Sequence, residues 1–307
     1  MKPIWCEKYR PKHVADVIVT NERDRFKFDQ FVKNGEFTSL LLVGGAGTGK
    51  TSMSLALTRD IGIDRADVLR INCSDEKIDA MREKVKNFAN TMPMGKFKVV
   101  RLEEIDGLSH DAQKLLRALI EDTSASCRFI ATCNYANLLL VPLRSRFQEF
   151  QFIAPSREDV LVLMAEILET EKVEFNIDDL EKTVAAAYPD IRKTIHLLES
   201  NSMGGRLIID GGGAAHDWKL ELLPLIEAGD IRGCRTLVCS TAAQSELVDV
   251  FRFLYQNVHR IKVLKQQDEA IVVIAEYMYR HGFCSDPELN VAALFIEIAK
   301  LVPTANR

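Results

Sequence analysis

The run Gly44-Gly45-Ala46-Gly47-Thr48-Gly49-Lys50-Thr51 has the spacing G-x-x-x-x-G-K-T, and this combination of residue types is suited to holding a polyphosphate. Glycines let the backbone turn so that several N–H groups converge on an anion at close range. Lys50 would reach the outer phosphates, and the Thr51 hydroxyl would take Mg²⁺. Such a loop must be brought in by a strand and continued by a helix whose N-terminal donors and partial positive charge face the anion. Leu40-Leu41-Leu42-Val43 supplies the apolar strand, and Ser52-Met53-Ser54-Leu55-Ala56-Leu57 reads as the helix. A chance glycine turn would lack both flanks. Gly44, Gly45, Ala46, Gly47, Thr48, Gly49, Lys50, Thr51 and Ser52 are therefore candidate contacts for ATP.

A second chemical pair follows Phe97-Lys98-Val99-Val100-Arg101-Leu102, an apolar run that ends in Glu103-Glu104-Ile105-Asp106. At the carboxyl end of a strand beside a phosphate loop, the first acid orients Mg²⁺ through water, and the second acts as a base that polarises an attacking water. Glu103 is thus a candidate metal residue with Thr51, and Glu104 the candidate base. Glutamate reaches about 1.5 Å further than the aspartate usual at the first position, and Mg²⁺ is strict about geometry. The plainer alternative is an acidic cap at a strand end.

The elements that must carry these groups are legible from periodicity. Val68–Asn72, Phe97–Leu102, Cys127–Thr132 and Glu149–Phe152 read as further strands, separated by helical stretches such as Ile78–Asn90 and Ser109–Asp122. Alternating strands and helices predict an α/β fold whose mostly parallel sheet is covered on both faces, with ligands at the carboxyl ends of the strands. After Pro155 strand-like runs stop. Val160–Thr170, Ile177–Ala187 and Asp190–Ser200 read as three short helices. Gly204-Gly205 and Gly211-Gly212-Gly213 mark a turn or junction. The remainder carries apolar residues at three- and four-residue steps, as in Leu247, Val250, Phe251, Leu254 and Val258. The expected organisation is a nucleotide-binding domain over 1–152, a small helical lid over 153–212 and an all-helical collar over 213–307.

The chain of 307 residues has a formal net charge of −4, with 47 % apolar and 27 % charged residues. That is an ordinary composition, so any nucleic acid must be met by a local basic patch. No apolar run is long enough to span a bilayer, and the first residues lack a signal-peptide core. Seven scattered cysteines, with no C-x-x-C pair, suggest reduced thiols in a cytoplasmic protein.

Several motifs together resemble a known family. Trp5-Cys6-Glu7-Lys8-Tyr9-Arg10-Pro11 resembles the W-x-E-K-Y-R-P opening of sliding-clamp loader ATPases, the replication factor C family of AAA+ modules. The phosphate loop and Glu103-Glu104 match its nucleotide motifs. Thr132-Cys133-Asn134 is similar to its first sensor, and Pro189-Asp190-Ile191-Arg192-Lys193 to its second. Pro142-Leu143-Arg144-Ser145-Arg146-Phe147 resembles its Ser-Arg-Cys box, with Phe147 in place of cysteine. Ser74–Asp79 and Tyr188–Ile195 resemble in particular the ATPase subunit of T-even bacteriophage clamp loaders, which would put the chain in a host cytoplasm. The likeness is specific over roughly residues 3–200.

The resemblance implies roles. Asn134 would hold the attacking water or touch the γ-phosphate. Arg192 would grip the γ-phosphate and draw the lid over it. Arg146 would be an arginine finger supplied to the neighbouring subunit's site, unless it is a salt-bridged surface residue. Tyr9, Arg10, Pro11, Val17 and Ile18 would wrap the adenine, or pack as an N-terminal segment, or both. Arg82, Lys77 and Ser109 are the candidate DNA contacts, with Lys77 coupling DNA to Glu104, although composition alone would make this a solvated helix. Phe88, Met92 and Met94 would form an apolar clamp-binding protrusion, with Phe88 equally suited to the core. The implied partners are a ring-shaped sliding clamp, a divergent loader subunit, further copies of this chain in a spiral, taken as a pentamer, and primer–template DNA. Two rival functions stay open. One is another DNA-dependent AAA+ motor of the branch-migration type; the other is a nucleotide-binding scaffold that does not hydrolyse.

Overall fold

The computed structural model describes residues 4–74, 78–208, 218–242, 247–258 and 267–301. Lys77 and the glycines at 211–213 lie outside the described residues. The chain divides into two compact units, Met1–Leu207 and Ile208–Arg307.

In the first unit a short helix, α1 (Trp5–Lys8), precedes α2 (Glu22–Asn34). Five strands follow, β1 (Leu40–Gly44), β2 (Val68–Asn72), β3 (Lys98–Glu103), β4 (Cys127–Cys133) and β5 (Gln148–Phe152). Between them run α3 (Lys50–Asp60), α4 (Ile78–Ala89), α5 (His110–Thr123) and α6 (Val141–Arg144). All strand pairs are parallel, in the order β2-β3-β4-β1-β5. β1 is therefore interior, and its Leu40–Val43 are buried on both faces, as a parallel sheet requires. Alternate residues of β3 serve opposite layers. Val99 joins the core under α2 and α3, with Phe28, Met53, Leu57 and Phe150. Val100 and Leu102 join the core under α4 and α5, with Met81, Val85, Leu116 and Phe129.

Three helices, α7 (Arg157–Thr170), α8 (Ile177–Ala187) and α9 (Ile191–Asn201), pack around their own core of Val160, Met164, Leu168, Val184 and Leu198. Their starts are fixed by capping: the side chains of Ser156, Asn176 and Asp190 each accept a backbone N–H from the first turn. Strand character does not end at Pro155. β6 (Ser202–Met203) and β7 (Arg206–Leu207) form a small antiparallel hairpin. Its turn is Gly204-Gly205, at φ of 61° and 81°, a left-handed conformation that only glycine adopts without strain.

All the regular secondary structure among the described residues of the second unit is helical. Helices α10 (Trp218–Ala228), α11 (Ile231–Thr241), α12 (Leu247–Asn257), α13 (Gln267–His281) and α14 (Pro287–Leu301) close on Trp218, Leu222, Phe251, Leu294 and Phe295. No helix among the described residues is long and apolar enough to cross a membrane.

Candidate nucleotide site

β1 delivers the glycine-rich loop to the carboxyl edge of the sheet, and α3 leaves from it. The turn needs positive φ at Gly47 (70°) and Gly49 (94°), and the second of these is the residue preceding α3. Gly44, Gly45 and Ala46 build the loop and do not line the cleft beside it. A Cβ at Gly44 would collide with the Phe152 backbone, so this glycine permits β5 to lie against β1. The Gly45 carbonyl accepts from Thr48 Oγ1 at 2.9 Å and from Lys50 Nζ at 2.6 Å.

Lys50 is buried, and its ammonium also donates to the Gly44 carbonyl at 2.8 Å and to Asn134 Oδ1 at 2.9 Å. Burial pulls this amine below its usual pKa, while the nearby charges of Asp106 and Asp190 oppose the shift. Asn134 follows β4, the strand beside β1, so the sheet order brings the amide and the lysine together. Asp106 fixes the backbone that carries Asn134. One carboxylate oxygen, Oδ2, accepts both the Asn134 and Tyr135 backbone N–H groups at 3.0 Å. Gln113 of α5 holds the other end of the same segment, donating to the Leu138 carbonyl at 3.1 Å and accepting from Leu140 N–H at 2.7 Å. Neither residue carries a recognisable local signal. Each is found only when the end of β4 is seen against the turn after β3. Cys133, next to Asn134, is pushed up to about 12 by burial and is an inert thiol.

Glu104 takes a left-handed backbone conformation, φ 58° and ψ 49°, which is costly for a residue with a Cβ and is a mark of functional turns. Its carboxylate accepts from Ser74 Oγ at 2.9 Å. Glu103 is held differently. Both of its oxygens accept from guanidinium groups, one from Arg101 at 2.9 Å and the other from Arg70 at 2.7 Å.

A cleft of about 370 Å³ opens between the loop, the N-terminal segment and the α7–α9 layer. Tyr9, Arg10, Pro11, Val17 and Ile18 line one wall, Gly47 to Ser52 the floor, and Leu163, Ile167, Ile191, Arg192 and Ile195 the other wall. Apolar walls above a cationic floor suit a base on a polyphosphate. Mg²⁺ has the Thr51 hydroxyl available in the first turn of α3, whereas Glu103 is already committed to two cations. The N-terminal segment docks on the helical layer: Trp5 N–H donates to Glu199 at 3.1 Å, Tyr9 hydroxyl to Glu171 at 2.7 Å, and Cys6 Sγ to the Arg192 carbonyl at 3.3 Å. Asp190 closes tightly on Gly47, where any Cβ would clash with it. The apolar wall residues of α7 and α9 escaped the sequence reading because their periodicity signals a helix core equally well.

Arg146 lies at the opposite edge of the sheet. β5 begins at Gln148, in register with Leu40, whereas the loop follows Gly44. The strand length between them, roughly 16 Å at 3.3 Å per residue, keeps Arg146 from its own site. Its guanidinium pairs with Glu121 at 2.6 Å on the surface. Arg144 pairs with Glu149 at 2.7 Å.

Of the candidate DNA residues, Arg82 is exposed and lines a shallow groove between α4 and α5 with Lys86, Lys114, Asp111 and Asp122. Ser109 caps α5, its hydroxyl accepting from Ala112 N–H at 3.3 Å. Phe88 is partly buried against the core and is not a protruding residue, while Met92 and Met94 are 91 % and 76 % exposed.

Residues 40–155 match the ATPase family associated with various cellular activities (AAA). The replication factor C small subunit of Sulfurisphaera tokodaii is 33 % identical over 96 % of this chain and 95 % of its own. That of Saccharolobus solfataricus is 32 % identical over 99 % and 98 %. Among solved structures, the Thermotoga maritima RuvB Holliday junction branch migration motor superposes with a TM-score of 0.58 at 18 % identity, over 81 % of this chain and 91 % of that one. At that identity the likeness is one of fold. The phosphate loop, the paired acids and near full-length identity to these relatives agree: the chain belongs to the replication factor C small-subunit family of AAA ATPases.

Proposed function

We propose that this chain is the ATPase subunit of a sliding-clamp loader, which uses ATP to open a ring clamp and leave it on primer–template DNA. One observation carries the reading. Lys50, Asn134 and Glu104 gather at one edge of the sheet, while Arg146, the arginine suited to complete such a site, is set at the other edge, where only a neighbouring subunit's nucleotide could meet it. ATP then sits at the seam between copies. Lys50 and the N-terminus of α3 bind its phosphates, and Arg192 grips the γ-phosphate from α9. Glu104 takes a proton from the attacking water, which Asn134 orients. Thr51 would hold Mg²⁺, which would supply neutralisation of phosphate charge.

Because Arg146 serves the next subunit, nucleotide state is read by two protomers, and the assembly switches between states that differ in affinity for clamp and DNA. Assembly falls to the collar, over 213–307, whose described residues expose Tyr279 and Leu289 on helices and Phe283 in the turn between them. The lid would span 153–212 and the nucleotide domain 1–152. Arg82 and the Ser109 end of α5 would track the duplex backbone, Lys77 would couple DNA to Glu104, and Met92 and Met94 would seat on the clamp. A pentamer with one divergent subunit, stimulation by clamp and DNA, and kinship with the T-even bacteriophage branch complete the reading.

The test is steady-state ATP hydrolysis by the reconstituted assembly with clamp and primed DNA. Arg146→Ala should spare ATP binding and lower turnover by roughly a thousandfold. Full-speed hydrolysis by the isolated chain, indifferent to primed DNA, would refute the proposal.

A further inference from the structure

Arg101 is the least expected residue of β3. It is 5 % exposed, in the middle of a strand whose charged ends are Lys98 and Glu103 and whose other residues are buried and apolar. It points to the α3 face, where its Nε donates to Ser54 Oγ at 2.9 Å, one helical turn beyond Thr51. A guanidinium cannot shed its charge, so burying it requires an anion in contact. Glu103, two residues on and therefore on the same face of β3, provides it at 2.9 Å. The neighbouring strand adds a second cation. Arg70 is in register with Arg101 and grips the other Glu103 oxygen with Nη2 at 2.7 Å and Nε at 3.1 Å.

The resulting cluster of two guanidiniums and one carboxylate carries a net positive charge. That charge disfavours a dication and leaves the carboxylate's oxygens committed on both sides. We infer that Glu103 is the counter-ion that anchors buried Arg101 beneath α3, with exposed Arg70 of the neighbouring strand on its other oxygen, and takes no part in holding Mg²⁺. Thr51 would then be the side chain that meets the metal when nucleotide is bound. The inference rests on the nucleotide-site reading and departs from the role that its motif position suggests. Replacing Glu103 removes a structural ion pair, and replacing it by the shorter aspartate does not improve the metal site.

The experiment uses the full chain, a fluorescent ATP analogue titrated with Mg²⁺, and thermal unfolding without nucleotide. Glu103→Gln should lower the melting temperature by roughly 5–10 °C, because Arg101 loses its buried partner. The Mg²⁺ concentration for half-maximal analogue binding should stay within about twofold, as for Glu103→Asp. The double variant Arg101→Leu with Glu103→Leu removes the buried charge with its partner, and should recover most of the lost melting temperature with the same Mg²⁺ dependence. It keeps the test open if the single variant does not fold. A tenfold or greater rise in the Mg²⁺ requirement in either Glu103→Asp or the double variant would overturn the inference. So would an unchanged melting temperature in Glu103→Gln. Failure of the unmodified chain to bind the analogue at any Mg²⁺ concentration would instead strike the nucleotide reading, and the melting data would still judge the ion pair.

Discussion

The two units solve packing in opposite ways. Among the described residues the first unit buries Lys50, Asp67, Lys98, Arg101 and Gln113, whereas Asn290 is the one polar side chain buried in the second. Buried charge is costly and must be answered by fixed partners. In the first unit such partners hold loops and strand ends in place. Asp67 accepts the Met94 and Gly95 N–H groups at 2.8 and 2.9 Å, and Lys98 donates to the Phe88 carbonyl at 2.6 Å and to Thr91. Together they clamp the loop that carries Met92 and Met94. In the second unit Asn290 merely ties α14 to the Tyr277 carbonyl at 3.0 Å, and its aromatic residues Tyr279 and Phe283 lie outside. Polar groups inside one unit fix a geometry for chemistry. Exposed apolar groups, Tyr279 and Phe283 in the second unit and Met92 and Met94 in the first, suit association.

The contrast can be broken at either side, with effects that should fall in a definite order. Lys50→Ala removes the ammonium at the centre of the site and should weaken ATP binding by about a thousandfold or more while the fold survives, by fluorescent-analogue titration and circular dichroism. A variant that still binds would show that the loop's N–H groups suffice. Phe251→Ala empties the middle of the second unit and should cost about 3–5 kcal/mol, seen by calorimetry as an earlier transition of that unit. A loss below about 1 kcal/mol would mean that its core is loosely packed. Asp106→Ala frees the turn that carries Asn134. We expect turnover in the assembly to fall about tenfold, with KM for ATP held within about twofold, since one or two kcal/mol of backbone restraint is lost. A matching rise in KM would make Asp106 a binding residue. Smallest, Ser109→Ala removes one helix cap and should cost about 1 kcal/mol in chemical denaturation, with no change in basal ATP binding.

Much of this was legible from local pattern. The loop, both acids, the five strands and the helices from α3 to α5 and α7 to α9 follow from glycine chemistry and apolar period to within a few residues, whereas α2 and α6 were not read. Val68–Asn72 and Ile177–Ala187 coincide with the observed elements. Other features were hidden for a physical reason: they are pairings between segments far apart in the chain. Arg70 and Glu103 meet because β2 lies beside β3, and Tyr9 meets Glu171 because the N-terminal segment docks on the α7–α9 layer. The Gly204-Gly205 hairpin was missed because two-residue strands have no period to detect.

By itself the sequence determined what kind of site this chain builds, since phosphate binding needs glycines, a lysine and a hydroxyl in fixed covalent order along one strand–loop–helix unit. Only the tertiary structure decided that Glu103 is bound to two arginines while its neighbour Glu104 meets the Ser74 hydroxyl, and that Arg146 faces away from its own loop. Strand order and register set those distances, and they depend on how whole layers pack rather than on any neighbour in sequence.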